Sequence, residues 1–175
     1  MIKRIFLVGY MGAGKTTIGG ELSKKLGFEF IDTDIYIENR FHKSINDIFA
    51  TMGEEKFRQI ETNILNEVSD IEDVIIATGG GTPCFNNNME VMKEKGIVVF
   101  LNPDLDELTY RLNLVKATRP LLKDKSKEEM RGFIEKMLAS RLPFYSQAHI
   151  TVSGDLEHGA EEIIQELGRV DDRRE

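Results

Sequence analysis

Short apolar runs alternate along this chain with longer stretches in which hydrophobic residues recur at helical spacing. Short apolar runs bounded by turn residues are typical of buried strands, and apolar residues every three to four positions predict amphipathic helices. Strands are predicted at residues 4–8, 28–32, 74–78, 97–101 and 150–152. Helices are predicted at residues 15–26, 35–40, 45–51, 53–69, 88–95, 105–114, 127–142 and 156–167. Strands that alternate with helices predict an α/β fold in which helices cover a parallel sheet.

Composition and charge narrow the possible functions. The 175 residues are enough for one domain with a substantial core, so we expect a single domain over residues 1–175. The net charge of −7 argues against nucleic acid or an anionic membrane as a partner. No apolar run approaches the length of a membrane span. Cys84 is the only cysteine, which excludes an intramolecular disulfide and fits a reducing cytoplasm.

A glycine-rich segment, residues 9–16, lies between the first predicted strand and the first predicted helix. It matches G-x-x-x-x-G-K-[ST], the phosphate-binding loop of many nucleotide-binding proteins. The glycines let successive backbone N–H groups close on phosphate oxygens at the positive end of a helix. In such loops the lysine, here Lys15, reaches the β- and γ-phosphates, and the hydroxyl, here Thr16, ligates Mg²⁺. The segment therefore predicts a nucleoside triphosphate site.

Two carboxylates are candidates for the second half of such a site. Asp32 and Asp34 end the second predicted strand, so we expect them at the edge of the sheet where ligands bind in open α/β folds. Residues two apart in an extended strand point the same way, which predicts that both carboxylates face Mg²⁺ or an acceptor hydroxyl. A turn that only caps the following helix would explain the same two residues. The strand at 74–78 lacks the acidic residue that many phosphate-loop proteins carry there, which places more weight on Asp32.

Arginines and a second group of glycines extend the candidate site. Arg58 and Glu61 are three residues apart on a predicted helix, so Glu61 can orient the guanidinium group, although a routine surface pair is the alternative. Three glycines, residues 79–81, follow a buried strand and permit close approach of a ligand to the backbone. The basic segment 116–125 predicts a mobile loop that closes over an anion, and a plain surface loop is the alternative.

Six motifs in this order and spacing resemble the shikimate kinase family over essentially the whole chain. They are residues 9–17, 32–34, 57–61, 79–81, 119–122 and 141–145. The resemblance implies a three-layer P-loop kinase fold with a five-stranded parallel sheet, a substrate-binding helical region at about 33–61 and a lid at about 114–125. It also implies transfer of the γ-phosphate of ATP to the 3-hydroxyl of shikimate, with Mg²⁺, by a cytoplasmic monomer on the route to aromatic amino acids.

The resemblance further implies a role for each matching position. The residues implied for ATP are Gly12, Ala13, Gly14, Lys15, Thr16, Thr17, Arg111 and Arg119. Those implied for shikimate are Asp34, Phe49, Phe57, Arg58, Gly79, Gly80, Gly81 and Arg141. Thr16 and, through water, Asp32 would hold Mg²⁺. Lys15, Asp34 and Arg119 would be catalytic, with Asp34 acting as a general base or aiming the hydroxyl.

Two other functions stay open at this point. The first is another small-molecule P-loop kinase, for gluconate or a nucleoside monophosphate. Arg58 and Arg141 argue against it, because paired guanidinium groups suit a planar carboxylate rather than a neutral sugar. The second is a nucleotide-dependent switch, in which binding rather than turnover is the function. The chain lacks the guanine-recognition sequence Asn-Lys-x-Asp, which argues against a GTPase.

Overall fold

In a computed structural model that describes residues 2–115 and 122–171, five parallel strands form one sheet in the order β2-β3-β1-β4-β5. The strands are β1 (Arg4–Val8), β2 (Glu29–Asp32), β3 (Val74–Ala77), β4 (Ile97–Leu101) and β5 (Ile150–Val152). The central strand β1 pairs with β3 on one side and β4 on the other, so that Leu7 lies opposite both Ala77 and Val99. All strands therefore end at the same edge of the sheet.

Helices cover both faces of this sheet. In the described ranges they are α1 (Lys15–Leu26), α2 (Thr33–Phe41), α3 (Ile45–Val68), α4 (Asn88–Lys95), α5 (Leu105–Leu114), α6 (Lys127–Tyr145) and α7 (Gly159–Asp171). A short 3₁₀ turn, Thr82–Cys84, follows β3. Every residue of β3 and β4 is buried, as expected for parallel strands with helices on both sides. The predicted three-layer α/β architecture is confirmed.

The alternation along β1 explains the two halves of the core. Ile5 and Leu7 belong to a cluster that includes side chains of α1 and α7. Phe6 and Val8 point to the opposite face and belong to a cluster that includes side chains of α3 and α4. The middle layer is thus apolar on both faces.

Several predicted boundaries need correction. Helix α2 begins at Thr33, because the Asp32 side chain accepts hydrogen bonds from the backbone N–H groups of Asp34 and Ile35 and so caps the helix. The predicted helices at 45–51 and 53–69 form one element, α3, whose Gly53 is non-helical with φ 79° and ψ 168°. The predicted break there is therefore a kink.

The ends of α6 and α7 also differ from the prediction. Helix α6 continues through Pro143 to Tyr145, because the fully buried Tyr145 ring packs in the core. Helix α7 begins at Gly159 rather than at residue 156, since Asp155 accepts hydrogen bonds from the backbone of Glu157 and His158 and forms a turn. Within the described ranges, no helix is long and apolar enough to cross a membrane.

Candidate active site

The phosphate-loop segment and the carboxyl ends of β2 and β3 line a cavity of about 360 Å³. Most of the residues predicted for ATP and Mg²⁺ line it, together with two predicted for the acceptor. These are Gly12, Gly14, Lys15, Thr16, Thr17, Asp32, Asp34, Gly80 and Arg111. Ala13 is fully buried and does not line the cavity. Residues 116–121 of the predicted lid, which include Arg119, lie outside the described residues.

The loop after β1 adopts conformations that require glycine. Gly14 has φ 101° and immediately precedes α1, so the first backbone N–H groups of that helix open toward the cavity. A Cβ atom on Gly14 would lie 2.7 Å from Cδ2 of Leu156. Nζ of Lys15 donates hydrogen bonds to the carbonyl oxygens of Gly9 and Tyr10 at 2.8 and 3.0 Å. The loop thus gathers N–H dipoles and one ammonium group at a single opening.

Thr16 and Asp32 form a hydroxyl–carboxylate pair beside this loop. Oγ1 of Thr16 donates to Oδ2 of Asp32 at 2.7 Å, while Oδ1 of Asp32 caps α2. Among the described residues, no group of three or more His, Cys, Asp or Glu side chains could hold a metal ion. Magnesium bound to nucleotide phosphates keeps several waters and needs only one or two protein ligands. The oxygen donors of Thr16 and Asp32 fit that kind of ion.

Asp34 lies in the first turn of α2, next to Asp32. The expected juxtaposition is present, but its cause is the helix start and not the alternation of a strand. Burial, followed by the nearby carboxylates of Asp32 and Glu61, raises the pKa of Asp34 to about 6, and Lys15 opposes this shift. A carboxyl group with that pKa is ionised at neutral pH and can still accept a proton, which suits a general base.

Arg58 is held on a buried carboxylate at the other side of the site. Its Nη1 lies 2.7 Å from Oε2 of Glu61, whose Oε1 accepts a hydrogen bond from the Thr82 hydroxyl at 2.6 Å. Glu61 is only 4% exposed, so the alternative of a routine surface pair is wrong. Oε1 of Glu54 lies 3.2 Å from Nη2. The two carboxylates, both also on α3, fix the guanidinium plane of Arg58.

The three glycines after β3 bring both acceptor-site arginines close to the backbone. A Cβ on Gly81 would lie 2.5 Å from Nη1 of Arg58, and a Cβ on Gly80 would lie 3.0 Å from Nη1 of Arg141. A Cβ on Gly79 would lie 2.9 Å from Oδ1 of Asp34. Any side chain at these positions would displace a charged group. Oε1 of Glu61 would lie 2.8 Å from the Cβ on Gly79, so the glycines form a surface on which two guanidinium groups and two carboxylates converge.

Two aromatic residues predicted for shikimate, Phe49 and Phe57, and one arginine predicted for ATP, Arg111, complete the set of predicted residues that the structure describes. The rings of Phe49 and Phe57 are 5.5 Å apart between centroids; Phe57 is buried and Phe49 is 38% exposed. Arg111 donates to the carbonyl oxygens of Gly12, Ala13 and Gly154 at 3.3, 3.3 and 3.0 Å, so it ties the phosphate loop to the segment after β5. It also lines a neighbouring cavity of about 470 Å³.

Sequence reasoning missed part of the cavity wall. The cavity residues that were given no individual role are Met11, Thr78, Leu114, Val115 and Leu156. Met11 lies inside the predicted phosphate loop, and Leu114 and Val115 begin the predicted lid. Thr78 directly precedes the predicted glycines, and its position could have identified it. Leu156 carried no such signal, because the apolar pattern there predicted a helix. Leu114, Val115 and Leu156 form an apolar side of the cavity, at the end of α5 and in the segment after β5.

A family model, a curated relative and two solved structures that match this chain are of shikimate kinases. The family model described as shikimate kinase matches residues 11–171. The shikimate kinase of Parabacteroides distasonis is 56% identical over 154 residues, which cover 88% of this chain and 89% of that protein. The crystal structure of shikimate kinase from Bacteroides thetaiotaomicron has a TM-score of 0.90 and 46% identity, covering 98% of this chain and 99% of that one. Shikimate kinase from Acinetobacter baumannii in complex with shikimate has a TM-score of 0.85 and 37% identity, covering 95% and 93% of the two chains.

Proposed function

Because this chain belongs to the shikimate kinase family, we propose that it transfers the γ-phosphate of ATP to the 3-hydroxyl of shikimate, giving shikimate 3-phosphate and ADP. The observation that carries the proposal is the convergence of Asp34, Arg58 and Arg141 on three consecutive glycines. Two guanidinium groups suit the carboxylate of the acceptor, and Asp34 suits its hydroxyl. The product would serve the synthesis of aromatic amino acids.

The donor half of the site would hold ATP by its phosphates. The backbone of residues 12–17 would bind the phosphate oxygens, with Lys15 at the γ-phosphate. Thr16 and, through water, Asp32 would hold Mg²⁺, which when bound neutralises charge on the phosphate oxygens. Arg111 would lie beside the adenine. Arg119, from the lid, stays a predicted contact to the transferring phosphate, on the strength of the family resemblance.

The acceptor half would hold shikimate so that one hydroxyl points at the γ-phosphate. Arg58 and Arg141 would bind the carboxylate, and Phe49 and Phe57 would lie beside the ring. Asp34 would accept the hydrogen bond of the 3-hydroxyl and, as the new O–P bond forms, take its proton. If the transition state is loose, aiming the hydroxyl matters more than removing the proton. Closure of the lid at about 114–125 would exclude water from the γ-phosphate.

A coupled ADP-release assay tests this proposal against its alternatives. Purified protein with Mg²⁺ and ATP receives shikimate, gluconate, AMP or no acceptor. We expect stimulation by shikimate alone, with phosphorus NMR placing the new phosphate on the 3-hydroxyl. Equal rates with and without shikimate would overturn the proposal. Stimulation by gluconate or AMP instead would favour another small-molecule kinase, and uniformly slow turnover would favour a nucleotide-dependent switch.

The proposed enzyme is a cytoplasmic monomer with one domain over residues 1–175. The single cysteine supports a reducing compartment. Light scattering should give a mass near the chain mass of 19.9 kDa. A mass twice as large would contradict the monomer without affecting the proposed reaction.

Arg58→Ala should raise the KM for shikimate by about 30- to 700-fold, the equivalent of about 2–4 kcal/mol for leaving a desolvated carboxylate without its partner. The KM for ATP should change little, because the described contacts of Arg58 lie on the acceptor side. Arg40→Ala is a matched control: it removes an ion pair with Glu67 of 2.6 Å on the protein surface, where such pairs contribute little. An unchanged KM for shikimate in the Arg58 variant would remove Arg58 from the acceptor site.

A further inference from the structure

Both acceptor-site arginines lie against aromatic rings, and two of these rings, those of Phe85 and Tyr10, have no predicted role in the site. Cζ of Arg58 lies 4.2 Å from the ring centroid of Phe85 and 5.5 Å from that of Phe57. Cζ of Arg141 lies 5.4 Å from the ring centroid of Tyr10. A guanidinium group within about 6 Å of a ring centroid is attracted by the negative face of the ring. Each cation thus contacts an aromatic ring as well as the glycine backbone.

Phe85 is partly exposed to solvent at the edge of the acceptor site. It directly follows the 3₁₀ turn Thr82–Cys84, and 37% of it is exposed. It belongs to neither hydrophobic core cluster, so its contact with Arg58 is the more informative feature. Arg58 itself is mostly covered, with 14% of its side chain exposed. Phe85, Glu61 and Gly81 therefore restrict the guanidinium group from three directions.

Tyr10 is fully enclosed and connects the two halves of the site. Its carbonyl oxygen accepts hydrogen bonds from Nζ of Lys15 and from the backbone N–H of Ala13, at 3.0 and 3.1 Å. Its ring lies near Arg141, and its hydroxyl has no hydrogen-bond partner among the described residues. The described contact of the Tyr10 side chain with Arg141 is therefore made by its ring.

We propose that Phe85 and Tyr10 are positioning residues for the acceptor carboxylate, acting through Arg58 and Arg141 respectively. Each ring limits the orientations of a guanidinium group and removes water from one side of it. A cation that is ordered before binding loses less conformational freedom when it pairs with a carboxylate. The rings should therefore affect the affinity for the acceptor and leave phosphoryl transfer and ATP binding nearly unchanged. This inference rests on the proposed function.

The test compares variants that remove each ring with variants that keep it. Phe85→Leu and Tyr10→Leu remove a ring, whereas Phe85→Tyr and Tyr10→Phe keep one. Tyr36→Leu is the matched control: the partly buried Tyr36 ring lies 5.2 Å from the guanidinium carbon of the exposed Arg40. Although both residues fall within the region 33–61, neither lines the cavity or is assigned to shikimate. For each variant, kcat, both KM values and the melting temperature are measured, and the dissociation constant of shikimate is determined by calorimetry.

We expect each leucine variant of Phe85 and Tyr10 to raise the KM and dissociation constant of shikimate by about 3- to 30-fold. The kcat and the KM for ATP should stay within about twofold, because the backbone contact of Tyr10 with Lys15 does not depend on its side chain. The ring-keeping variants should match the wild type in affinity. Tyr10→Phe should be at least as stable, since it removes an unpaired buried hydroxyl. Tyr36→Leu should leave the affinity for shikimate unchanged.

Three outcomes would overturn the inference. They are an unchanged KM for shikimate in Phe85→Leu, an equal rise in the KM for ATP, and equal losses in the ring-keeping variants or in Tyr36→Leu. If Tyr10→Leu fails to fold, Phe85→Leu and Tyr10→Phe still decide, since the exposed Phe85 contributes little to the core. Failure of the proposed function is a separate result, because the wild type itself would then show no shikimate-dependent turnover.

Discussion

Lys15→Ala should lower kcat about 1000-fold while the protein stays folded. A fixed donor aimed at charge that develops in the transition state typically contributes about 10²- to 10³-fold, and a full ammonium charge at a transferring phosphoryl group belongs at the upper end. The Lys15 side chain lies on the phosphate loop, where it contacts the carbonyl oxygens of Gly9 and Tyr10. It is therefore already placed at the mouth of the loop rather than extended into solvent.

The stability of the Lys15 variant should change little, because the two carbonyl oxygens belong to a loop that lines an open cavity and water can replace the ammonium group. Lys24→Ala is a matched control on the same helix: Lys24 is exposed in the last turn of α1, away from the loop. Steady-state kinetics and thermal melting are measured for both variants. A Lys15 variant with wild-type kcat would contradict the assignment of residues 9–16 as the phosphate-binding loop.

The phosphate loop could be predicted from sequence because its signal is local. The glycines, Lys15 and Thr16 are contiguous, and the buried strand and amphipathic helix on either side are defined by their own apolar patterns. Strands β1, β4 and β5 have the predicted bounds for the same reason. Each of these features depends on residues within a few positions of one another.

The acceptor side depends on contacts between distant segments, which no local pattern contains. Gly80 and Arg141 meet only because α6 packs against the end of β3, where the Tyr145 hydroxyl donates to the Gly80 carbonyl oxygen at 2.6 Å. That contact also explains why α6 runs past Pro143, a residue that usually disrupts a helix. The pairing of these residues could be expected only through the family resemblance.

For Asp32 and Asp34, the predicted position was right and the predicted cause was wrong. Strand alternation predicted that Asp32 and Asp34 would face the same way, but the strand ends at Asp32. The Asp32 side chain caps α2, and the first helical turn then brings Asp34 beside it. The alternatives considered from sequence, a helix cap and a ligand site, are both compatible with Asp32, which uses one oxygen for the cap and the other for Thr16.

The activity should fall below about pH 6, because a protonated Asp34 can no longer accept the proton of the hydroxyl. Burial, followed by the carboxylates of Asp32 and Glu61, raises the pKa of Asp34 to about 6. In a profile of log(kcat/KM) for shikimate against pH, the acid limb should have a slope of about one. The raised pKa of Asp34 affects stability in the opposite direction from activity. The folded state binds the proton more tightly than the unfolded state, so the free energy of unfolding should fall as pH rises from about 4 through 6.

Asp34→Asn should therefore lower activity and raise stability together. Loss of the base, or of the group that aims the hydroxyl, should reduce kcat by about 10²- to 10⁴-fold. At pH 7 the variant should be more stable by at most about 3 kcal/mol, because an amide avoids the cost of a buried charge beside two other carboxylates. That gain should shrink as pH falls and vanish below about pH 3, where the carboxyl group is protonated in both the folded and the unfolded state.

The combination of the two effects separates a chemical role from a structural one, since a variant that loses activity by misfolding also loses stability. Asp106→Asn is the matched control; Asp106 is an exposed carboxylate paired with Arg131, and its removal should change neither kcat nor the pH profile. Near-wild-type kcat in Asp34→Asn would exclude Asp34 as both base and aiming group. A small fall in kcat with a large rise in the KM for shikimate would instead mean that Asp34 binds the hydroxyl and that proton removal contributes little to the barrier.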